Sequence, residues 1–210
     1  MSVLDRVSAT PEHLMEEAVG DARTVLDVGC GTNSPLGRFR RRYERTVGVD
    51  LFPAAADSGI HDEYRLIDIL ELDQEFAENS FDAVVAFDVI EHLSTSDVGK
   101  LLDLMERIAR RRIVVHTPNG FLPQDEYEDN PLQVHRSGWS AEEMRSLGFR
   151  VFGSNGLRVL RGEEGRTRWR PDRFWGVVAR LTQPFVHRRP SLAYQLLCVK
   201  ELDGSASTRS

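Results

Sequence analysis

Thr24-Val25-Leu26-Asp27-Val28-Gly29-Cys30-Gly31-Thr32-Asn33-Ser34 is a run of strand-forming residues that stops in a glycine turn. Thr24 to Val28 reads as a short strand, and the two glycines mark the bend that follows it. Outward from this unit the pattern recurs. Leu4 to Val19 has the spacing of an amphipathic helix. A helix is expected over Pro35 to Arg42, a strand over Thr46 to Val49 ending at Asp50, a weaker strand over Tyr64 to Ile67 ending at Asp68, and a buried strand over Asp82 to Phe87. Thr95 to Arg110 follows as a helix with Val98, Leu101, Leu102, Met105 and Ile108 along one face. Beyond it come a strand over Ile113 to Val115, a short helix near Ser140 to Leu147, a strand over Phe149 to Phe152, and a last strand over Leu192 to Val199.

Strands alternating with helices predict an α/β fold of Rossmann-like, doubly wound type. The expected sheet is mostly parallel and seven-stranded, with an antiparallel last strand. The chain has 210 residues, 40% hydrophobic and 29% charged, with a mean hydropathy of −0.36. That length and composition suit one globular domain over residues 1–202, with a disordered tail over 203–210. No apolar run approaches the ~18 residues of a membrane-spanning helix. The first twenty residues lack a basic segment followed by an apolar one, so no secretory signal is expected and the chain is expected in the cytoplasm. Cys30 and Cys198 are too few for a disulfide framework and lack redox or zinc spacing.

The net charge is −6, which argues against a chain whose whole surface embraces nucleic acid. The charge is uneven. A basic insert at about 158–190 holds nine arginines against Glu163, Glu164 and Asp172, a local +6 that leaves −12 on the remainder.

In an open parallel sheet, ligands bind where strand ends and helix starts converge, and glycines there let a ligand approach the backbone. Gly29-Cys30-Gly31-Thr32-Asn33-Ser34 fails as a dinucleotide fingerprint, because Ser34 occupies the sixth, small-residue position. A different nucleotide cofactor is indicated by the carboxylates. Asp50 is placed to accept hydrogen bonds from ribose hydroxyls, and Asp68 from an exocyclic adenine amine. Each alone also reads as a loop or cap residue.

The chain resembles the class I S-adenosylmethionine-dependent methyltransferases, among them the small-molecule and quinone-biosynthesis enzymes. The resemblance rests on TVLDVGCG (24–31), VGVDLF (47–52), Asp68-Ile69, FDAVVAFDVIEHL (81–93), HTPNGF (116–121) and HRSGW…LGFRV (135–151). It implies S-adenosylmethionine as cofactor. By the same resemblance Asp27 would orient the methionine amino group, and Gly29 and Gly31 would lie beneath the cofactor. Asp50 would hold the ribose, Leu51 would pack on adenine, Asp68 and the Ile69 backbone would read the adenine edge, and Phe87 would offer backbone contacts beside the methionine. Asn33 stands where the family has a third loop glycine.

Glu91 and His92 follow the fourth strand and offer a carboxylate and an imidazole to take a proton from a hydroxyl acceptor, with His92 the first choice and His135 a further catalytic candidate. The bland alternative is that Glu91 and His92 brace the next helix. Asp88, Glu91 and His92 have i, i+3, i+4 spacing, and with His135 the stretch is similar to the metal-binding set of small-RNA 3′-terminal 2′-O-methyltransferases. No metal is expected here. His116 reads as a core or turn histidine, and Ser137 and Trp139 as acceptor contacts or core anchors. The expected acceptor is a small molecule or saccharide, most readily at oxygen, with nucleic acid an unexpected partner. Metal-dependent RNA 2′-O-methylation and non-catalytic cofactor binding are the alternatives. Arginines mixed with aromatics in the insert, and Pro171 placed to open a helix, suit peripheral contact with an anionic membrane.

Overall fold

The computed structural model describes residues 10–123, 134–162 and 167–202. Its strands are β1 (Thr24–Val28), β2 (Arg45–Asp50), β3 (Glu63–Leu66), β4 (Phe81–Phe87), β5 (Ala109–Pro118), β6 (Arg150–Leu157) and β7 (Ala193–Glu201). They form one sheet in the order β3-β2-β1-β4-β5-β7-β6. β1 runs parallel to β2 and β4, and β2 to β3, whereas β7 is antiparallel to β5 and β6. This is the Rossmann-like, mostly parallel arrangement expected. Chain order reverses between β1 and β4, so the turn after β1 stands at the switch point where such sheets bind ligands. The described helices are α1 (Pro11–Val19), α2 (Thr95–Ile108), α3 (Ala141–Ser146), α4 (Asp172–Leu181) and α5 (Gln183–Arg188), with several 3-10 turns between strands.

The chain falls into two compact units, one drawn from Glu16–Val89, Thr95–Val115 and Val199–Ser210, the other from Met1–Met15, Ile90–Ser94 and His116–Cys198. In the first, every residue of β4 is buried, and α2 buries Val98, Leu101, Leu102, Leu104, Met105 and Ile108. In the second, Gly153 and Gly156 of β6 admit helix backbone. A Cβ on Gly153 would stand 2.1 Å from the Val186 carbonyl oxygen, and one on Gly156 would stand 2.5 Å from that of Ala179. Larger residues in β6 would push α4 and α5 away.

Several boundaries differ from the sequence reading for local reasons. The Pro35–Arg42 helix is two 3-10 turns, Pro35–Arg38 and Arg40–Arg42, since Leu36 and Phe39 alone bury an apolar face there, too little to hold a continuous helix. β5 starts at Ala109, and α2 accordingly stops at Ile108. The arginine run that reads as helix end or loop is strand whose guanidinium groups find carboxylates: Arg110 on Asp82 (2.6 Å), Arg111 on Asp21 (2.9 Å) and Arg112 on Glu201 (3.3 Å). β3 ends at Leu66, before Asp68. The anticipated 203–210 tail, residues 4–9 of the first helix and residues 163–166 of the insert lie outside the described residues.

Asp82 sits within β4 only 8% exposed. Its Oδ2 accepts the backbone N–H groups of Arg23 (2.9 Å) and Thr24 (3.2 Å), while Oδ1 accepts from Arg110. Burial pushes its carboxyl up, but those N–H donors and the Arg110 guanidinium outweigh it and hold the pKa below the usual aspartate value. A depressed native pKa means that the bound carboxylate stabilises the fold fully above the unfolded pKa and loses that contribution as pH falls through the native one. Asp82→Ala is therefore expected to lower unfolding stability by about 2–3 kcal/mol at neutral pH, with the difference from the parent shrinking in acid. Urea melts at neutral and acidic pH check this, and an equal deficit at both would contradict it.

Candidate active site

The turn after β1 is closed by hydrogen bonds from the Gly29 and Cys30 N–H groups to the Val49 carbonyl, at 2.8 and 3.0 Å. Gly29 and Gly31 have φ of 68° and 52°, a left-handed backbone that costs side-chain-bearing residues strain. A Cβ at Gly29 would also stand 2.7 Å from a Val89 methyl, whereas one at Gly31 would meet nothing within 4 Å. The open side above Gly31 is room for a ligand to touch the loop. Asp50, at the end of β2, accepts the Gly31 N–H on Oδ2 and the Phe52 N–H on Oδ1, both at 2.8 Å. Each of its oxygens keeps a second lone pair for a hydroxyl. Leu51 and Phe52 are 45% and 36% exposed, apolar surface suited to the face of a base. Asp68 caps the Ile69–Gln74 turn, its Oδ1 accepting the Leu70 N–H at 2.9 Å. Phe87 closes β4 and is buried.

Asp27 lies deeper than its motif suggests, 1% exposed. Its Oδ2 accepts from the Ser34 hydroxyl (2.5 Å) and pairs with His61 Nε2 (2.9 Å). Oδ1 is buried and unpartnered, the one acceptor left for an ammonium group. His61 went unrecognised in the sequence because it contacts Asp27 across 34 residues. The visible signal was Gly48 in β2, since a Cβ there would stand 2.9 Å from both Cys30 Sγ and His61 Nδ1. Burial, reinforced by the carboxylates of Asp27 and Asp50, pushes the Cys30 thiol far up, so it stays protonated and is no nucleophile. His61→Leu leaves the Asp27 carboxylate with Ser34 alone, and a loss of about 2–4 kcal/mol in stability is expected. A thermal melt within error of the parent would show that the pair does not hold the loop.

In the other unit, Ile90–His92 is a 3-10 turn. Asp88 has φ of 54°, so the helical spacing expected of Asp88, Glu91 and His92 is not realised. Glu91 is 2% exposed and its Oε2 accepts the Thr117 hydroxyl at 3.0 Å. The Glu91 carbonyl accepts the Arg136 and Ser137 N–H groups, the Ser137 hydroxyl donates to the Ile90 carbonyl, and Trp139 Nε1–H donates to Ser137 Oγ. Ser137 and Trp139, both buried, thus brace the turn. His116, 1% exposed, pairs with Ser154 as a core histidine.

His92 and His135 stack edge to face with ring centroids 4.8 Å apart. His92 Nδ1 lies 3.3 Å from the Val134 carbonyl oxygen, and His135 Nδ1 lies 2.6 Å from that of Leu122. An imidazole nitrogen facing a carbonyl donates to it, so Nδ1 carries a proton in both rings. One ligand atom from each of Glu91, His92 and His135 lies within 4.8 Å of the others. Two imidazoles and a carboxylate form a donor set that fits a divalent ion, where the sequence led us to expect none.

Residues 26–114 match the family described as Methyltransferase domain. Over 103 residues the chain is 32% identical to the ubiquinone biosynthesis O-methyltransferase of Hahella chejuensis (strain KCTC 2396), covering 45% of this chain and 42% of that protein. The chain thus spans less than half the length of that curated relative. A SAM dependent methyltransferase from Archaeoglobus fulgidus aligns with a TM-score of 0.57 at 17% identity, over 89% of both chains. Geranyl diphosphate C-methyltransferase from Streptomyces coelicolor A3(2) aligns with a TM-score of 0.58 at 18% identity, over 91% of this chain and 76% of that one. Residues 26–114 thus carry a methyltransferase domain, and the sheet order and the glycine turn at its switch point support reading the chain as a class I S-adenosylmethionine-dependent methyltransferase.

Proposed function

We propose that the chain methylates a hydroxyl oxygen of a small molecule or saccharide. The observation that carries this reading is the His92 imidazole, a group able to act as base, whose ligand atom lies within 4.8 Å of those of His135 and of the buried Glu91 carboxylate. A hydroxyl acceptor needs such a base, because its proton must leave as the oxygen attacks. The likeness to an O-methyltransferase over 103 residues points the same way.

S-adenosylmethionine supplies, when bound, a methyl group on a sulfonium whose C–S bond breaks as the acceptor oxygen bonds to carbon. The chain's own contribution is placement, which by itself supplies a large share of such displacements. Asp50 would hold the ribose hydroxyls, Leu51 would cover the adenine, and Asp68 with the Ile69 backbone would meet its edge. Gly29 and Gly31 would let the amino-acid end lie on the loop, Phe87 would offer backbone beside it, and Asp27 Oδ1 would accept from its ammonium. His92 would take the acceptor proton, with Glu91 favouring the resulting imidazolium and His135 a further candidate.

A second reading, metal-dependent methylation of an RNA 2′-hydroxyl, is favoured by the Glu91/His92/His135 donor set and opposed by the −12 charge outside the insert. In that reading the three side chains hold the ion instead of moving a proton. Transfer of labelled methyl to a panel of phenols, lipid-linked saccharides and short RNAs separates the readings. Label on phenol or saccharide is expected. Label on RNA alone would install the second reading, and none on any acceptor would leave a cofactor-binding protein.

A further inference from the structure

Helix α4 and helix α5 carry two faces of opposite character. Thr182 joins them with helical φ and ψ of −81° and −10°, so side chains keep their helical phase across the joint. On the inner face Ala179, Gln183 and Val186 are 0%, 3% and 0% exposed. Gln183 there donates to the Gly153 carbonyl of β6 and accepts the Gly156 N–H. On the outer face Phe174, Val177, Leu181 and Phe185 are 57%, 54%, 59% and 47% exposed. At 3.6 residues per turn these four fall within a stripe of roughly 80°. The buried face is formed without them, and this second apolar stripe stays about half exposed.

Arginines border the stripe. Arg173 and Arg180 lie along one flank, and the Arg189 guanidinium sits over the Phe185 ring, 5.1 Å from its centroid. Arg173, Arg180, Arg188 and Arg189 are exposed, and no carboxylate pairs with any of them among the described residues. This sets them apart from the arginines of β5, which meet Asp82, Asp21 and Glu201.

We propose that α4 and α5 dock this chain on an anionic lipid surface, the apolar stripe entering the headgroup layer and the arginines meeting lipid phosphates. The choice of a bilayer over a protein partner rests on charge and shape. A helical stripe of half-exposed aromatic and aliphatic side chains lies parallel to a row of exposed guanidinium groups that meet no carboxylate among the described residues. An anionic membrane offers the matching pair of layers, apolar acyl chains a few ångström below a plane of negative charge. The rest of the chain is acidic and would be repelled by that surface, so attachment is confined to this face. No helix among the described residues is long and apolar enough to cross a membrane, and the contact is peripheral. The proposal does not depend on which acceptor is methylated.

The test is flotation of the full chain with vesicles of equal parts phosphatidylglycerol and phosphatidylcholine, and with phosphatidylcholine alone, at low and at physiological salt. Flotation with the anionic vesicles at low salt, release as salt rises, and little with phosphatidylcholine alone are expected. Arg173→Gln with Arg180→Gln should lower partitioning by roughly an order of magnitude, and Leu181→Ser with Phe185→Ser should do the same. These side chains face outward, so thermal melts and S-adenosylhomocysteine binding should stay at parental values and show that the variants are folded. Absence of flotation, or flotation unchanged by both pairs of substitutions, overturns the proposal. It is also overturned if, without flotation, the same substitutions abolish self-association in sedimentation velocity or binding of a random-sequence RNA, which would assign the stripe to a second copy or to nucleic acid.

Discussion

Asp50→Ala is expected to weaken S-adenosylhomocysteine binding by one to two orders of magnitude, the loss of about 1.5–3 kcal/mol that accompanies removal of a hydrogen bond to a charged group. The carboxylate serves two purposes. It would accept the ribose hydroxyls, and it already pins the loop by accepting the Gly31 and Phe52 N–H groups at 2.8 Å. Alanine removes both, leaving two N–H donors and any bound ribose without their acceptor. Asp50→Asn should be nearly as damaging, because both carboxylate oxygens already face N–H donors and the new amide must turn an NH2 group toward one of them. Isothermal calorimetry reads the effect directly. Affinity equal to the parent's in the alanine variant would remove Asp50 from the cofactor site.

For the acceptor side, His92→Ala and Glu91→Gln should each lower kcat by roughly two to four orders of magnitude, the range attributed to a positioned proton acceptor. S-adenosylhomocysteine affinity should hold in both variants, which separates lost chemistry from lost cofactor binding. Glu91→Gln keeps the volume of the buried side chain and an oxygen for the Thr117 hydroxyl, so the turn should survive while the negative charge disappears. Chelation then distinguishes the two uses of the cluster. Turnover insensitive to chelator is expected of the base; turnover abolished by chelator and restored by manganese would assign Glu91, His92 and His135 as ligands. Activity close to parental in both variants would take the turn out of the chemistry altogether.

The parts of the site that were legible in the sequence are those built from local signals. A strand followed by Gly29 and Gly31 announces its turn because left-handed backbone selects glycine, and Asp50 announces the end of the next strand within the same local grammar. The contacts that were missed join residues far apart in the chain. His61 reaches Asp27 across 34 residues and Thr117 reaches Glu91 across 26, and neither histidine nor threonine carries a spacing that periodicity can detect. The arginine run of β5 carries no local sign of being strand: Arg110 stands at the end of the helix expected over Thr95 to Arg110, and Arg111 and Arg112 precede the strand expected from Ile113. In the fold its carboxylate partners come from α2's far side of the sequence, Asp21 and Asp82, and from Glu201.

The sequence by itself determined the alternation of strands and helices, the glycine turn at the switch point, a resemblance to methyltransferases, and a basic segment in an otherwise acidic chain. These follow from side-chain period, backbone permissiveness and charge, all properties of near neighbours. Only the tertiary structure decided that Asp27 is a buried hub, that Ser137 and Trp139 brace the Glu91 turn, that Glu91, His92 and His135 converge while the Asp88 backbone turns out of helical register, and that α4 bears a second apolar stripe its own core does not cover. Each of these depends on which distant residues fill the space beside a side chain, and burial of that kind is settled by packing, which no local pattern encodes.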